Sequence, residues 1–151
     1  MKTLILGLGN SILTDDAVGF AVIEEVGKRI DRGDVTVSEA SVGGLSLLDL
    51  VVDYDEVIII DAIQTGASQP GEIHRLSPDE FRGSLRAAST HDITFATALE
   101  LARQLDMDIP KHIVIFAVEA VDVETFGEEL TPAVAAAVPK VVKLVLQELE
   151  R

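Results

Sequence analysis

Gly7-Leu8-Gly9-Asn10-Ser11-Ile12-Leu13-Thr14-Asp15-Asp16-Ala17-Val18-Gly19 is the stretch that decides the fold of this chain. It follows the apolar run Leu4-Ile5-Leu6 and leads into a segment whose apolar residues recur at helical spacing. A buried strand that turns at glycines into an amphipathic helix is typical of the first unit of a parallel α/β fold. The stretch therefore predicts a strand and a helix joined by a turn that carries two adjacent carboxylates, Asp15 and Asp16.

The composition fits the same fold class. Hydrophobic residues make up 48% of the 151 residues but aromatic residues only 4%, so the core must be built from Val, Ile, Leu and Ala. Such a core is typical of a parallel sheet that is buried on both faces. The length predicts one domain that spans residues 1–151. The chain has no cysteine, which excludes disulfides and thiol chemistry.

The charge balance narrows the possible partners. Twelve Lys and Arg against 26 Asp and Glu give a net charge of 12 − 26 = −14, which repels nucleic acid and anionic membranes. No apolar run approaches the roughly 18 residues of a membrane span. The N-terminal apolar run enters a glycine turn and is expected to be a first strand, not a signal peptide. We therefore expect a cytoplasmic protein without nucleic-acid or membrane partners.

The order of elements predicts a three-layer αβα sandwich around a five-stranded, mostly parallel sheet, with right-handed crossovers. The predicted strands are Thr3–Leu8, Val35–Glu39, Glu56–Asp61, an edge strand Glu72–Leu76, and Ile113–Val118. The predicted helices run from Asp15 or Asp16 to about Ile30, over Ser46–Val52, from Ser77-Pro78-Asp79-Glu80, over Ile93–Leu105, and from Thr131-Pro132. In the last helix Thr131 is the expected N-cap, and Pro139 is expected to kink or end the first part. The basic stretch Arg82–Ser89 is expected to be a mobile surface loop.

Three residues carry the candidate chemistry: Asp16, Asp61 and His91. In a parallel α/β fold all three reach the carboxyl edge of the sheet, where ligands bind. Two carboxylates and one imidazole form a mixed oxygen and nitrogen donor set that suits Zn or Ni. Each residue alone has a structural alternative, because Asp, Thr and His are common at caps and turns. His74 and His112 are expected to be surface residues.

The Gly7-x-Gly9 turn has a second interpretation as a dinucleotide site. The third glycine of that fingerprint would fall at Ile12, so the motif is incomplete. The following Asp15-Asp16 pair would also repel a pyrophosphate. A tight turn that requires positive φ or close backbone packing explains the glycines equally well.

The chain resembles the hydrogenase maturation proteases, the endopeptidases that process [NiFe]-hydrogenase large subunits. The resemblance rests on segments in the family's order and spacing that together cover nearly the whole chain. They are Gly7-Leu8-Gly9-Asn10 with Asp15-Asp16-Ala17-Val18-Gly19, then Ile60-Asp61-Ala62, Pro70-Gly71-Glu72-Ile73, Ser89-Thr90-His91 and Leu130-Thr131-Pro132.

The resemblance implies that Asp16, Asp61 and His91 are the metal-binding and catalytic residues. It implies nickel, carried by the hydrogenase precursor itself, as the metal that is recognised, with Zn or Cd able to substitute. It also implies that the protease removes a C-terminal extension from the large-subunit precursor. A monomer is expected, because no long heptad pattern or exposed apolar stripe in the sequence indicates an oligomer. Two mechanisms stay open: a metal that polarises the scissile carbonyl or activates water, and Asp16 or Asp61 as general base, as in an aspartyl-type endopeptidase. Two other functions also stay open, a small-ligand or nucleotide-binding module and a non-catalytic, nickel-sensing chaperone.

Overall fold

The computed structural model describes residues 1–81 and 94–151, which form a five-stranded mixed sheet with helices on both faces. The strands are β1 (Thr3–Leu8), β2 (Val35–Ala40), β3 (Glu56–Ile63), β4 (Ile73–Leu76) and β5 (His112–Glu119). A 3₁₀ helix (Thr14–Ala17) precedes the four α-helices, which are α1 (Val18–Arg29), α2 (Gly44–Val51), α3 (Phe95–Gln104) and α4 (Pro132–Leu149). The predicted fold class is confirmed.

The sheet has the order β2-β1-β3-β5-β4. All neighbours are parallel except β4, which pairs antiparallel with β5 at the edge. Gly7 of β1 lies opposite Ile60 of β3, and Asp61 lies opposite Ala117 of β5. The carboxyl ends of β1, β3 and β5 therefore meet at one edge of the sheet.

Alternation along the strands divides the core into two layers of side chains. On one face Ile58 and Ile60 of β3 pack with apolar residues of α1 and α4. On the other face Val57 and Ile59 pack with residues of α2 and α3. Few aromatic rings are needed, because β-branched and small side chains on β1, β3 and β5 fill both layers.

Glycines bring α1 into direct contact with the strands. A Cβ atom on Gly19 would lie 2.5 Å from the carbonyl oxygen of Leu8 and 2.6 Å from that of Ile60. Only glycine permits this approach of helix to strand. The 3₁₀ helix also packs against β3, so the turn that follows β1 lies directly over the strand that carries Asp61.

Some predicted boundaries differ from the structure. At the predicted helix start Ser77–Glu80 the structure has one turn, in which the N–H groups of Glu80 and Phe81 donate to the Ser77 carbonyl; the residues that would continue a helix lie outside the described ranges. The helix predicted at Ile93 begins at Phe95, since the Thr94 hydroxyl accepts the Thr97 N–H as its N-cap. The predicted loop Arg82–Ser89 lies outside the described residues.

The C-terminal helix begins at Pro132 with Thr131 at its N-cap, as predicted, and it does not end at Pro139. The Thr131 side chain makes no capping bond, and its hydroxyl donates to Asp15. The helix also continues through Pro139 to Leu149. Pro139 lies on the exposed side of the helix, where water can satisfy the carbonyl group that the missing N–H leaves behind.

Candidate functional site

Asp16 and Asp61 both lie at the carboxyl edge of the sheet. Asp16 is in the 3₁₀ helix after β1, and 6% of it is exposed. Asp61 is near the end of β3, is fully buried, and accepts the Ala62 N–H through Oδ1 at 2.8 Å. His91 lies outside the described residues, so its place in the set stays a prediction. Of the three predicted residues, the structure thus brings Asp16 and Asp61 to the same edge of the sheet.

The backbone of Asp16 is held by the glycine turn. The Asn10 N–H donates to the Asp16 carbonyl at 3.2 Å, and a Cβ on Gly9 would overlap that same oxygen. Close packing therefore explains the glycine, as one of the two alternatives predicted.

The Asp15 carboxylate, next to Asp16 in the sequence, makes hydrogen bonds to a distant loop. Its carboxylate is fully buried and does not cap the 3₁₀ helix or α1. Oδ2 accepts the N–H groups of Val121 and Asp122 at 2.9 and 3.0 Å, and Oδ1 accepts the N–H and hydroxyl of Thr131 at 2.8 and 2.9 Å. Asp15 therefore fastens the whole β5–α4 loop (residues 120–131) to the turn that carries Asp16. No local sequence signal could reveal partners more than a hundred residues away.

Main-chain bonds reinforce this connection. Thr14 N–H donates to the Gly127 carbonyl at 3.1 Å, and Gly127 N–H donates to the Ile12 carbonyl at 2.8 Å. Thr14 itself has φ 52°, which is costly for a β-branched residue. Its hydroxyl donates to the Thr125 carbonyl at 2.6 Å, a bond that helps to hold this conformation.

Glu119, the last residue of β5, is another buried carboxylate. It accepts the Thr65 N–H and hydroxyl at 2.9 and 2.5 Å and the Ser68 hydroxyl at 2.5 Å. Burial raises the pKa of Glu119, but the bonds from Ser68 and Thr65 together outweigh burial and leave the pKa below its ordinary value. Glu119 thus anchors the loop that follows β3.

His74 takes part in the same network and is not the free surface residue that we predicted. Its Nε2 lies 2.9 Å from the Ser68 oxygen and 3.5 Å from a Glu119 oxygen. The Ser68 proton is directed at Glu119, so the imidazole is not arranged to activate that serine as a nucleophile. His112 is half exposed at the start of β5, as predicted, with Nε2 3.9 Å from Glu148.

The donor chemistry of the edge fits a borderline metal. The two described carboxylates supply oxygen donors that Zn and Ni accept, and the nitrogen donor of the predicted set would come from His91. Within residues 1–81 and 94–151 no group of three His, Asp or Glu side chains is placed to hold a metal ion. The predicted set draws its third member from outside these ranges, at His91.

A cleft of about 500 Å³ opens beside the Asp16 turn. Its lining includes apolar residues of α1 and the β5–α4 loop, among them Phe20 and Leu130. Three glutamates also line it: Glu24, Glu39 and Glu128. The cleft therefore combines an apolar surface with strong negative charge.

In the described part of the chain no helix is long and apolar enough to cross a bilayer.

Comparison with known proteins identifies the family. A family model described as "HycI: Hydrogenase maturation protease" matches residues 20–148. The hydrogenase 2 maturation protease of Escherichia coli is 30% identical over 99% of this chain and 91% of its own length. The hydrogenase expression/formation protein HupD of Bradyrhizobium diazoefficiens is 31% identical over 98% of this chain and 78% of its own length.

The solved structures agree with the sequences. The hydrogenase maturating endopeptidase HybD of E. coli superimposes with a TM-score of 0.84 at 30% identity, covering 99% of this chain and 93% of that one. A [NiFe] hydrogenase maturation protease from Thermococcus kodakarensis, at 23% identity and a TM-score of 0.74, shows the same fold. This chain therefore belongs to the hydrogenase maturation protease family and is a peptidase of that family.

Proposed function

We propose that this peptidase is a cytoplasmic, nickel-dependent endopeptidase that removes the C-terminal extension of a [NiFe]-hydrogenase large-subunit precursor. The observation that carries the proposal is the position of two buried carboxylates: Asp16 lies in the 3₁₀ helix that follows β1, and Asp61 lies near the carboxyl end of the neighbouring strand β3. Open α/β sheets bind their ligands at this edge. The fold and the family supply the rest of the support.

In this proposal the nickel is cargo that the precursor carries, and Asp16, Asp61 and His91 are its ligands on the protease. Bound metal would supply Lewis-acid polarisation or an activated water. The protein's own part is to hold Asp16 by its backbone and to keep Asp61 in a buried strand, so that neither carboxylate has to reorganise on binding. Processing then depends on prior nickel insertion.

A carboxylate that acts as general base is the competing mechanism for the same site. Asp16 is the better candidate for that role, because it retains some exposure whereas Asp61 has none. Cleavage of a nickel-free precursor at the normal rate would favour this alternative.

The test is to incubate the protein with a nickel-loaded and a nickel-free precursor and to weigh the products by mass spectrometry. We expect one cut near the C-terminus of the loaded precursor only. An unchanged mass for the loaded precursor, with binding intact, would remove the proposed cleavage and favour a nickel-sensing chaperone role.

A further inference from the structure

Large apolar side chains are exposed on both segments that frame the Asp16 turn. Phe126 is 80% exposed and Val121 is 50% exposed on the β5–α4 loop, and Ile12 is 47% exposed on the turn after β1. By contrast, Phe95 and Phe116 are less than a tenth exposed. Exposed apolar groups that cluster beside a site typically mark an interaction surface. We call Ile12, Val121 and Phe126 the apolar platform.

The apolar platform is assembled from distant parts of the sequence by fixed backbone contacts. Gly127, the residue after Phe126, donates its N–H to the Ile12 carbonyl at 2.8 Å. Val121 donates its N–H to the buried Asp15 carboxylate at 2.9 Å. Because these contacts exist in the free protein, little ordering entropy is lost when a partner docks.

Charge indicates what kind of partner fits. The cleft next to the apolar platform is lined by Glu24, Glu39 and Glu128. Ser11, the residue before Ile12, also lines this cleft. The whole chain carries a net charge of −14. A partner with basic side chains beside apolar ones complements this surface, whereas a second copy of the same acidic surface would be repelled.

We infer that the apolar platform and the adjoining acidic cleft dock the hydrogenase precursor, through a segment that carries apolar side chains next to a basic one. The inference rests on the proposed function, since the cleft opens beside the same turn that presents Asp16. It adds a recognition surface that is separate from Asp16, Asp61 and His91.

The test is Phe126→Ser in the full-length protein, with processing of the nickel-loaded precursor followed at several precursor concentrations. Phe126 is exposed, so the fold should survive the change. We expect KM to rise at least about tenfold with kcat nearly unchanged, as for an interface anchor. The matched control is Leu105→Ser, which removes a 65% exposed side chain at the end of α3, on the opposite face of the sheet.

A second variant tests the charge. Glu128→Gln should weaken precursor binding and reduce its dependence on salt, because one long-range attraction is lost. Unchanged KM in both Phe126→Ser and Glu128→Gln would overturn the docking inference while leaving the protease activity intact. A wild-type protein that binds the precursor but never cuts it would instead contradict the proposed function alone.

Sedimentation of the wild type and Phe126→Ser decides between the precursor and a second copy. We expect both to sediment as the same species. A wild-type dimer that Phe126→Ser converts to a monomer would assign the platform to self-association and overturn the inference.

Discussion

Asp15 and Thr131 are 116 residues apart in sequence, yet Thr131 donates both its backbone N–H and its hydroxyl to the Asp15 carboxylate. The same carboxylate accepts two further N–H groups from the start of the β5–α4 loop. A buried carboxylate with this many donors is a strong structural contact, since each charge-assisted bond is stronger than a neutral one. Asp15 therefore connects the turn between β1 and α1 to the β5–α4 loop.

The first prediction concerns this connection. Asp15→Asn should lower the free energy of unfolding by about 3 kcal/mol, because an amide cannot satisfy all the buried donors. Thr131→Val, which removes only the hydroxyl, should cost about 1.5 kcal/mol, and Thr131→Ser should cost less. Urea denaturation measures all three. Asp53→Asn, the same change on an exposed turn, should stay within about 0.5 kcal/mol of wild type. Equal stability of Asp15→Asn and Asp53→Asn would contradict the assigned role.

The second prediction concerns the glycine beneath Asp16. Gly9→Ala places a methyl group against the Asp16 carbonyl oxygen, so the backbone of Asp16 must move. We expect precursor processing to fall by at least about tenfold, as for other small displacements of reacting groups. The control is Gly27→Ala on α1, where the nearest atom is 4.0 Å away and alanine should stabilise the helix by about 0.5–1 kcal/mol. Normal processing by Gly9→Ala would show that Asp16 needs no fixed position.

The third prediction concerns the two carboxylates of the site. Asp16→Asn and Asp61→Asn should each abolish processing of a nickel-loaded precursor, because an amide is a neutral and weaker ligand and a poor base. Circular dichroism should show a retained fold for Asp16→Asn, because the amide has nearly the same size and shape as the carboxylate. Asp53→Asn provides the matched charge change and should process normally. Full activity in Asp16→Asn would exclude it from both proposed mechanisms.

The fourth prediction tests His91. His91→Ala should abolish processing while the protein unfolds at the wild-type urea midpoint. His112→Ala removes a half-exposed histidine at the start of β5, far from the carboxyl edge, and should leave processing unchanged. Normal cleavage by His91→Ala would remove this residue from the mechanism.

The fifth prediction is a pH dependence at Glu119. Its pKa in the folded protein lies below the ordinary value of 4.5, so the folded state binds this proton less readily than the unfolded state. The resulting stabilisation is present above pH 4.5 and is lost as the pH falls through the folded pKa. In urea denaturation between about pH 3 and 6, the free energy of unfolding of Glu119→Gln should fall less steeply with decreasing pH than that of the wild type. A pH dependence in Glu119→Gln as steep as that of the wild type would contradict this prediction.

The fold was predictable because its signals are local. The apolar runs of β1, β3 and β5 and the helical spacing of α1 appear directly in the sequence, and parallel crossovers then leave few arrangements. The errors fall where a distant contact decides. Thr131 is the N-cap residue, as predicted, but only the folded protein shows that its hydroxyl binds Asp15 and makes no capping bond.

The candidate site was predictable in part. The sequence places Asp16 and Asp61 at strand ends, and the structure brings both to one edge. Nothing in the sequence showed that Asp15 binds the β5–α4 loop or that His74 joins Ser68 and Glu119, because Asp15 and Val121 are 106 residues apart and Ser68 and Glu119 are 51 residues apart. The apolar platform was missed for the same reason, since Ile12 and Phe126 become neighbours only when Gly127 bonds to Ile12.

The contacts that hold the β5–α4 loop have a consequence for how such proteins diversify. Apart from the Thr131 hydroxyl, the loop is attached to the first turn through its own main-chain N–H and C=O groups, which almost any amino acid supplies. The side chains of residues 123–126 can therefore be exchanged without disturbing Asp16. Residues 123–126 can change to suit a different substrate protein while the residues at the carboxyl edge of the sheet stay the same.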